Sequence, residues 1–418
     1  MRLNKFSIVL SALSVASLPA FSQETATVLP KGIWRIRGVG IVVNPITHAY
    51  NNNGERQEIL HSLNSQKVPV SVLAQTSTEL NTLYKALNDF QPGLGDSLFQ
   101  TQFDAHTEID AQQYVFAAEY GVTSKLSLGL IVPTSRMAFR NTRFGSSNQE
   151  NIAEVLRRTE GMPDVQAGVR SFAEKAPTTA TFENALFTSK GYETPHDFSF
   201  QSLGDVEIGA KYKFYEQDRL VMGLKSGFRL PTTTHMKDYR NPLDRTAGDD
   251  QLDFATAYLT QFMPNPNLIF GASAQFTMQF ADTRNMFVLK PGETGLPALD
   301  PDHNDKVRRN LGELLETEVS ASYLFMDQQF RTYSLWSFST KATDSYSGTK
   351  DLDYGSLSKD SRTLAHRAEL GLAYSTIPLF RRKKFAVPLE TKLAYNTSLY
   401  GVNTPDNDYF RLDMIVYF

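Results

Sequence analysis

Charged side chains fall at alternate positions, Asp205, Glu207, Lys211 and Lys213, with only Gly209 breaking the row and Val206, Ile208, Ala210, Tyr212 and Phe214 between them. Carboxylates and amines in such a row can pair with one another or steer a polar solute along one face of an extended segment. The same parity recurs at Arg35 and Arg37, Lys225 and Arg229, Glu316 and Glu318, Arg331, and Arg367 and Glu369. Successive side chains of a strand point to opposite faces, so each segment reads as a strand with one ionic and one apolar face. Buried charges must be paired or stay hydrated. An inward ionic face therefore implies either a water-filled lumen or one laced with salt bridges. Lys211, Lys213, Lys225 and Arg229 could form a basic wall facing an acidic one at Glu316 and Glu318, or simply pair across strands.

Enzyme signatures are incomplete. Gly271-Ala272-Ser273-Ala274-Gln275 lacks the final glycine of a nucleophile elbow. Asp300-x-Asp302-x-Asn304 begins like a calcium loop, but Asp305 stands where glycine is needed and Leu311 where the last carboxylate is needed. Ser334 and His366 share the apolar face of neighbouring strands. Tight pairing puts them about six residues apart, roughly 20 Å at ~3.3 Å each, too far for a nucleophile and its base. The chain reads as non-enzymatic and free of cofactors and metals.

Twelve strands are expected near residues 32–43, 105–120, 125–133, 204–215, 219–231, 251–262, 267–281, 313–325, 329–342, 362–375, 385–400 and 408–418. Connections after the even-numbered strands are short, and those after the first five odd-numbered strands are long. A closed transmembrane barrel has short periplasmic turns and long extracellular loops, so the alternation predicts an all-β, antiparallel up-and-down barrel with both termini periplasmic. Ile208 is expected near the middle of the lipid face. The two longest loops, 44–104 and 141–202, carry helix-like stretches at 77–87, Gln149–Arg158 and 181–188. Thr76 and Glu79 have capping-box spacing before the first of these. Lids folded into the pore and loosely ordered surface loops fit these segments equally well.

Arg2 and Lys5, an apolar run over 6–18 and Ala20-Phe21-Ser22 form a secretory signal over residues 1–22. The mature chain, 23–418, reads as one domain. No later apolar run approaches the ~18 residues of a spanning helix. Mean hydropathy of −0.32 fits a barrel whose polar lumen dilutes its apolar face. With a net charge of −3 and a pI of about 6.2, no nucleic-acid footprint is visible. There is no cysteine, so no disulfide supports the fold.

The stretch from Glu119 through Gly121-Val122-Thr123-Ser124 to Pro133 resembles a hairpin of exported barrels described as transporters of the phenol meta-degradation pathway, which are distantly similar to long-chain fatty-acid channels. Gly204 to Phe214, followed by Gly227-Phe228-Arg229-Leu230-Pro231-Thr232, resembles the central hairpin of the same group. The terminal strand ending on Phe418 resembles the signal read by the barrel assembly machinery. The resemblance covers about a quarter of the chain and implies aromatic or fatty solutes. The segment before the first strand is too short for the N-terminal plug of fatty-acid channels. The resulting expectation is a monomeric outer-membrane channel of a Gram-negative bacterium, in contact with membrane lipid and passing small solutes. A non-conducting surface platform is the alternative, and a lipid-face hydrolase the third.

Overall fold

The structure, a computed structural model, describes residues 25–61, 67–74, 77–174, 183–184, 186–246 and 248–418. The signal segment and Thr76 lie outside them. Twelve antiparallel strands close into a barrel. They are β1 Trp34–Val43, β2 Phe99–Gly121, β3 Leu126–Ser147, β4 Val206–Gln217, β5 Leu220–Leu230 and β6 Asp253–Asn265. The circuit continues with β7 Leu268–Gln279, β8 Leu314–Phe325, β9 Phe330–Lys341, β10 Thr363–Ser375, β11 Leu389–Val402 and β12 Tyr409–Tyr417. Each pairs with its neighbours in sequence. β1 closes the circle by pairing with both β2 and β12, and the Phe418 N–H donates to the Trp34 carbonyl at 3.0 Å.

The alternation decides which face is which. Tyr114, Phe116, Leu128, Ile208, Tyr212, Leu224, Phe276, Leu393, Leu412 and Met414 are all exposed, while Asp253, Glu369, Arg411 and Asp413 are buried. A water-soluble fold does the reverse. Among the described residues no helix is long and apolar enough to cross a membrane.

β2 and β3 run well past their expected ends. Pro133 reads as a stop, but β3 continues through it. At that point its outer neighbour changes from β4 to a short strand, Phe198–Leu203, so the missing N–H interrupts no ladder on that side. Beyond this hairpin the two longest loops build one helical layer. It comprises α1 Thr78–Phe90, α2 Gln149–Arg158 and α3 Pro163–Glu174. Leu83, Leu87, Ile152, Val155, Val165, Val169 and Phe172 are its core. The N-cap of α1 is Ser77, whose side chain accepts from the Leu80 N–H. Of the helix expected at 181–188, described residues 183, 184 and 186 are helical and lead into a 3-10 turn, Thr188–Lys190.

The short segment before β1 enters the barrel after all. Ala26 is fully buried against Val221, Ala257 and Leu259, which point inward from β5 and β6. Gly223 makes room for it: a Cβ there would stand 3.2 Å from the Ala26 carbonyl oxygen. The Leu29 N–H donates to Ser127 Oγ at 3.0 Å. A few residues suffice as a peg because inward positions at this end carry small side chains.

Candidate functional site: the barrel interior

The interior has two unlike walls. On the β9–β12 and β1 side, large ionised residues fill the space. Arg411 Nη2 lies 2.8 Å from Glu369 Oε1 and 3.1 Å from the Tyr333 hydroxyl. Arg37 pairs with Asp413 at 2.8 Å, and Arg331 with Glu390 at 2.7 Å. Lys392 adds a second cation 3.3 Å from Glu390. This wall is laced shut.

The β2–β7 side carries a furrow instead. One row of cross-strand partners runs Arg35, Glu119, Gly129, Gly209, Gly227, Ala255, Thr277 over seven consecutive strands. Every member lines the same cavity. Because strands of a closed barrel tilt, the row climbs from the short-turn end of β1 to the long-loop end of β7. Its middle has almost no side chains. At Gly227 this is obligatory: a Cβ would fall 2.5 Å from the Ile208 carbonyl oxygen. The bank above is Arg37, Ala117, Ile131, Glu207, Arg229 and Asp253, and the bank below includes Ser127, Lys211, Lys225 and Gln275. The space measures about 100 Å³, several times the roughly 10–15 Å³ one water needs, and charged side chains stand on both banks. It has the room and the polar partners to hold water.

Charges on the banks are interleaved. Arg229 bridges its two neighbouring strands, 3.1 Å from Glu207 and 3.4 Å from Asp253. Arg35 pairs with Glu119, and Gln275 donates to Glu316 at 2.9 Å. Lys211 and Lys225 stand directly opposite each other. Lys213 pairs with Glu216 near the short turn. Glu318 stands between Ser273 and Ser337. Arg367 binds Asn396 and Asn407 and lies over the Tyr409 ring. Arg35, Arg37, Glu207, Lys211, Lys225 and Arg229 thus meet at the furrow, whereas Arg331, Arg367 and Glu369 belong to the other wall. The three floor glycines and Thr277 are not among the candidate site residues of the sequence. Their only signal is inward parity.

At the long-loop end the interior turns apolar. Val39, Ile41 and Val43 of β1, Met137 and Phe139 of β3, and Tyr409 of β12 form one cluster with the loop residues Ile46, Ile59, Phe187, Tyr192 and Leu243. Leu296 and Leu299 pack against it. The loops are lids with greasy undersides. A histidine clamp holds the last of them. His303, buried, places Nδ1 2.8 Å from Asp300 and Nε2 2.9 Å from Glu293. Two carboxylates facing both ring nitrogens require the doubly protonated ring. Burial alone would lower the His303 pKa, but the hydrogen bonds to Asp300 and Glu293 raise it above 6.5. A raised histidine pKa contributes stability that is complete below the unfolded value and is lost as pH rises through the folded one. Asp300 and Glu293 are shifted down, chiefly by their bonds to His303 and nearby N–H groups, so the clamp also weakens in strong acid. The protection factor of the Val288 amide, whose N–H donates to the His303 carbonyl, is the exchange rate corrected for its intrinsic base catalysis, and it should therefore fall as the medium is made alkaline. In His303→Ala it should be low throughout, and a wild-type protection factor that did not change with pH would contradict the clamp.

Ser334 lies opposite Leu370, not His366, which faces Phe338. The separation is four residues along the strands, about 13 Å, shorter than the sequence implied and still beyond contact. Asp300 and Asp302 are engaged by His303 and Lys290, and no metal cluster exists among the described residues.

No family model and no curated protein matches the sequence. Solved structures do match. An outer membrane channel of the COG4313 group from Pseudomonas putida F1 is 11% identical with a TM-score of 0.52, over 95% of this chain and 100% of that one. The Pseudomonas putida toluene transporter TodX is 11% identical with a TM-score of 0.33, over 93% and 89%. A Pseudomonas aeruginosa FadL homologue is 11% identical with a TM-score of 0.31, over 93% and 89%. At such identity the first of these shows the fold: this chain is built as a closed outer-membrane-type β-barrel.

Proposed function

We propose that the protein is an outer-membrane channel for passive passage of small, largely apolar solutes. The observation that carries this reading is the glycine-floored furrow inside a barrel whose outer face is apolar. Solutes enter beneath the apolar lids and descend diagonally along the furrow toward the Ala26 peg. The resemblance to phenol-pathway barrels supports the solute class. The reading has no catalytic step. It places both termini and the short turns in the periplasm, the long loops outside, and one domain over 23–418 behind a cleaved 1–22 signal. It takes the chain as a monomer inserted by the barrel assembly machinery through its Phe418 terminus.

Planar-bilayer recording tests it. Wild type should show small, discrete current steps. A Cβ at Gly129 would meet nothing closer than the Ala118 carbonyl oxygen at 3.7 Å, so Gly129→Phe should fold and fill the furrow, at least halving the step size. Phe187→Ala, loosening the lids, should raise the open fraction several-fold. Silence from both wild type and Phe187→Ala would sink the channel and leave the surface-platform reading.

A further inference from the structure

The upper end of the furrow differs from the rest. Thr277 and Asp253 both line it, and both are buried, at 2% and 0% exposure. Thr277 Oγ1 has no hydrogen-bond partner in the protein and Asp253 Oδ1 has none within hydrogen-bond distance, while Oδ2 of the same carboxylate receives a long bond of 3.4 Å from Arg229 and the Gln279 side chain stands beside the group. Leaving such atoms unpaired is costly, so buried polar groups are ordinarily satisfied. The two are neighbours: Thr277 faces Ala255, and Asp253 faces Gln279, which makes them diagonal positions on adjacent strands, ~7–8 Å apart at the backbone. One small polar head can reach both. The free carboxylate oxygen can accept, and the hydroxyl can donate or accept. An anionic head would meet like charge at Asp253. Below them Ala255 and Gly227 give an apolar body a smooth surface to lie on.

We propose that Thr277 and Asp253 form a subsite for the hydrogen-bond-donating head of a small apolar solute, so that the channel takes neutral alcohols in preference to plain hydrocarbons or carboxylates. This rests on the channel reading and names the substrate class within it.

Thermal unfolding of the full-length protein in detergent tests the subsite without requiring conduction. A ligand that binds the folded state raises the melting temperature, and micelle partitioning acts equally on wild type and variant. The probes are cyclohexanol, cyclohexane and cyclohexanecarboxylate. Thr277→Val keeps the shape and removes the hydroxyl. Cyclohexanol should raise the melting temperature of wild type by a few degrees and that of Thr277→Val by much less, with neither other probe matching it. Equal shifts from cyclohexane, a larger shift from the carboxylate, an unchanged response in Thr277→Val, or no shift from any probe (a site for water alone) would each overturn the subsite. Failure of the channel reading appears separately, as absent current in a protein that still binds cyclohexanol.

Discussion

Replacing Glu369 with alanine should cost the barrel about 3–5 kcal/mol, the usual penalty for removing one partner of a buried ion pair. Arg411 is among the most deeply buried side chains of the molecule. Its guanidinium lies between Glu369 at 2.8 Å and Asp413 at 3.4 Å, and Asp413 is already shared with Arg37 at 2.8 Å. Without Glu369 one carboxylate must serve two guanidiniums. The Tyr333 hydroxyl loses its acceptor as well. Glu369→Gln should cost less, because it keeps the shape and an acceptor oxygen. Equilibrium unfolding in urea with lipid vesicles would measure both. If alanine and glutamine proved equal and nearly neutral, the laced wall would contribute no stability and the interior would be wetter than its geometry implies.

Arginine at Leu224 is the second large effect. Leu224 is exposed at the centre of β5, opposite Tyr212 and Tyr258. A lipid-facing arginine at mid-depth costs about 2–4 kcal/mol, falling to about 0–1 near the interfaces. Ile208, expected from sequence at mid-thickness, lies only two residues inside the long-loop end of β4 and should be cheaper to replace. Gln275→Arg, pointing inward beside Glu316, is the control and should cost least. A cost at Gln275 matching that at Leu224 would mean that the outward face does not meet lipid.

The twelve strands and their facing were legible because the signal is local. The alternation from Val206 to Phe214 can be read without knowing any partner, and the same holds for β12 from Tyr409 to Tyr417. Helix α2 takes the bounds expected of it, Gln149–Arg158. The overlong β2–β3 hairpin was not legible, since Pro133 is a stop signal unless the neighbouring strand ends there too. Nor was the peg. Its burial depends on Gly223 and Ala257, which lie about two hundred residues from Ala26 along the chain and become its neighbours only when the circle closes.

The candidate site divides in the same way. Parity by itself sent Arg35, Lys211, Arg229 and Glu369 inward, because side-chain direction in a strand is set one residue at a time. Which of them meet across the interior was decided by register and closure, which are properties of all twelve strands together. Gly129, Gly209 and Gly227 are three separate strand glycines until pairing aligns them into a floor, and Thr277 is an ordinary strand threonine until that floor ends beside it. The period-two pattern determined the two faces of this protein; only the closed tertiary structure decided that one inner wall is locked by ion pairs while the other is left open as a path.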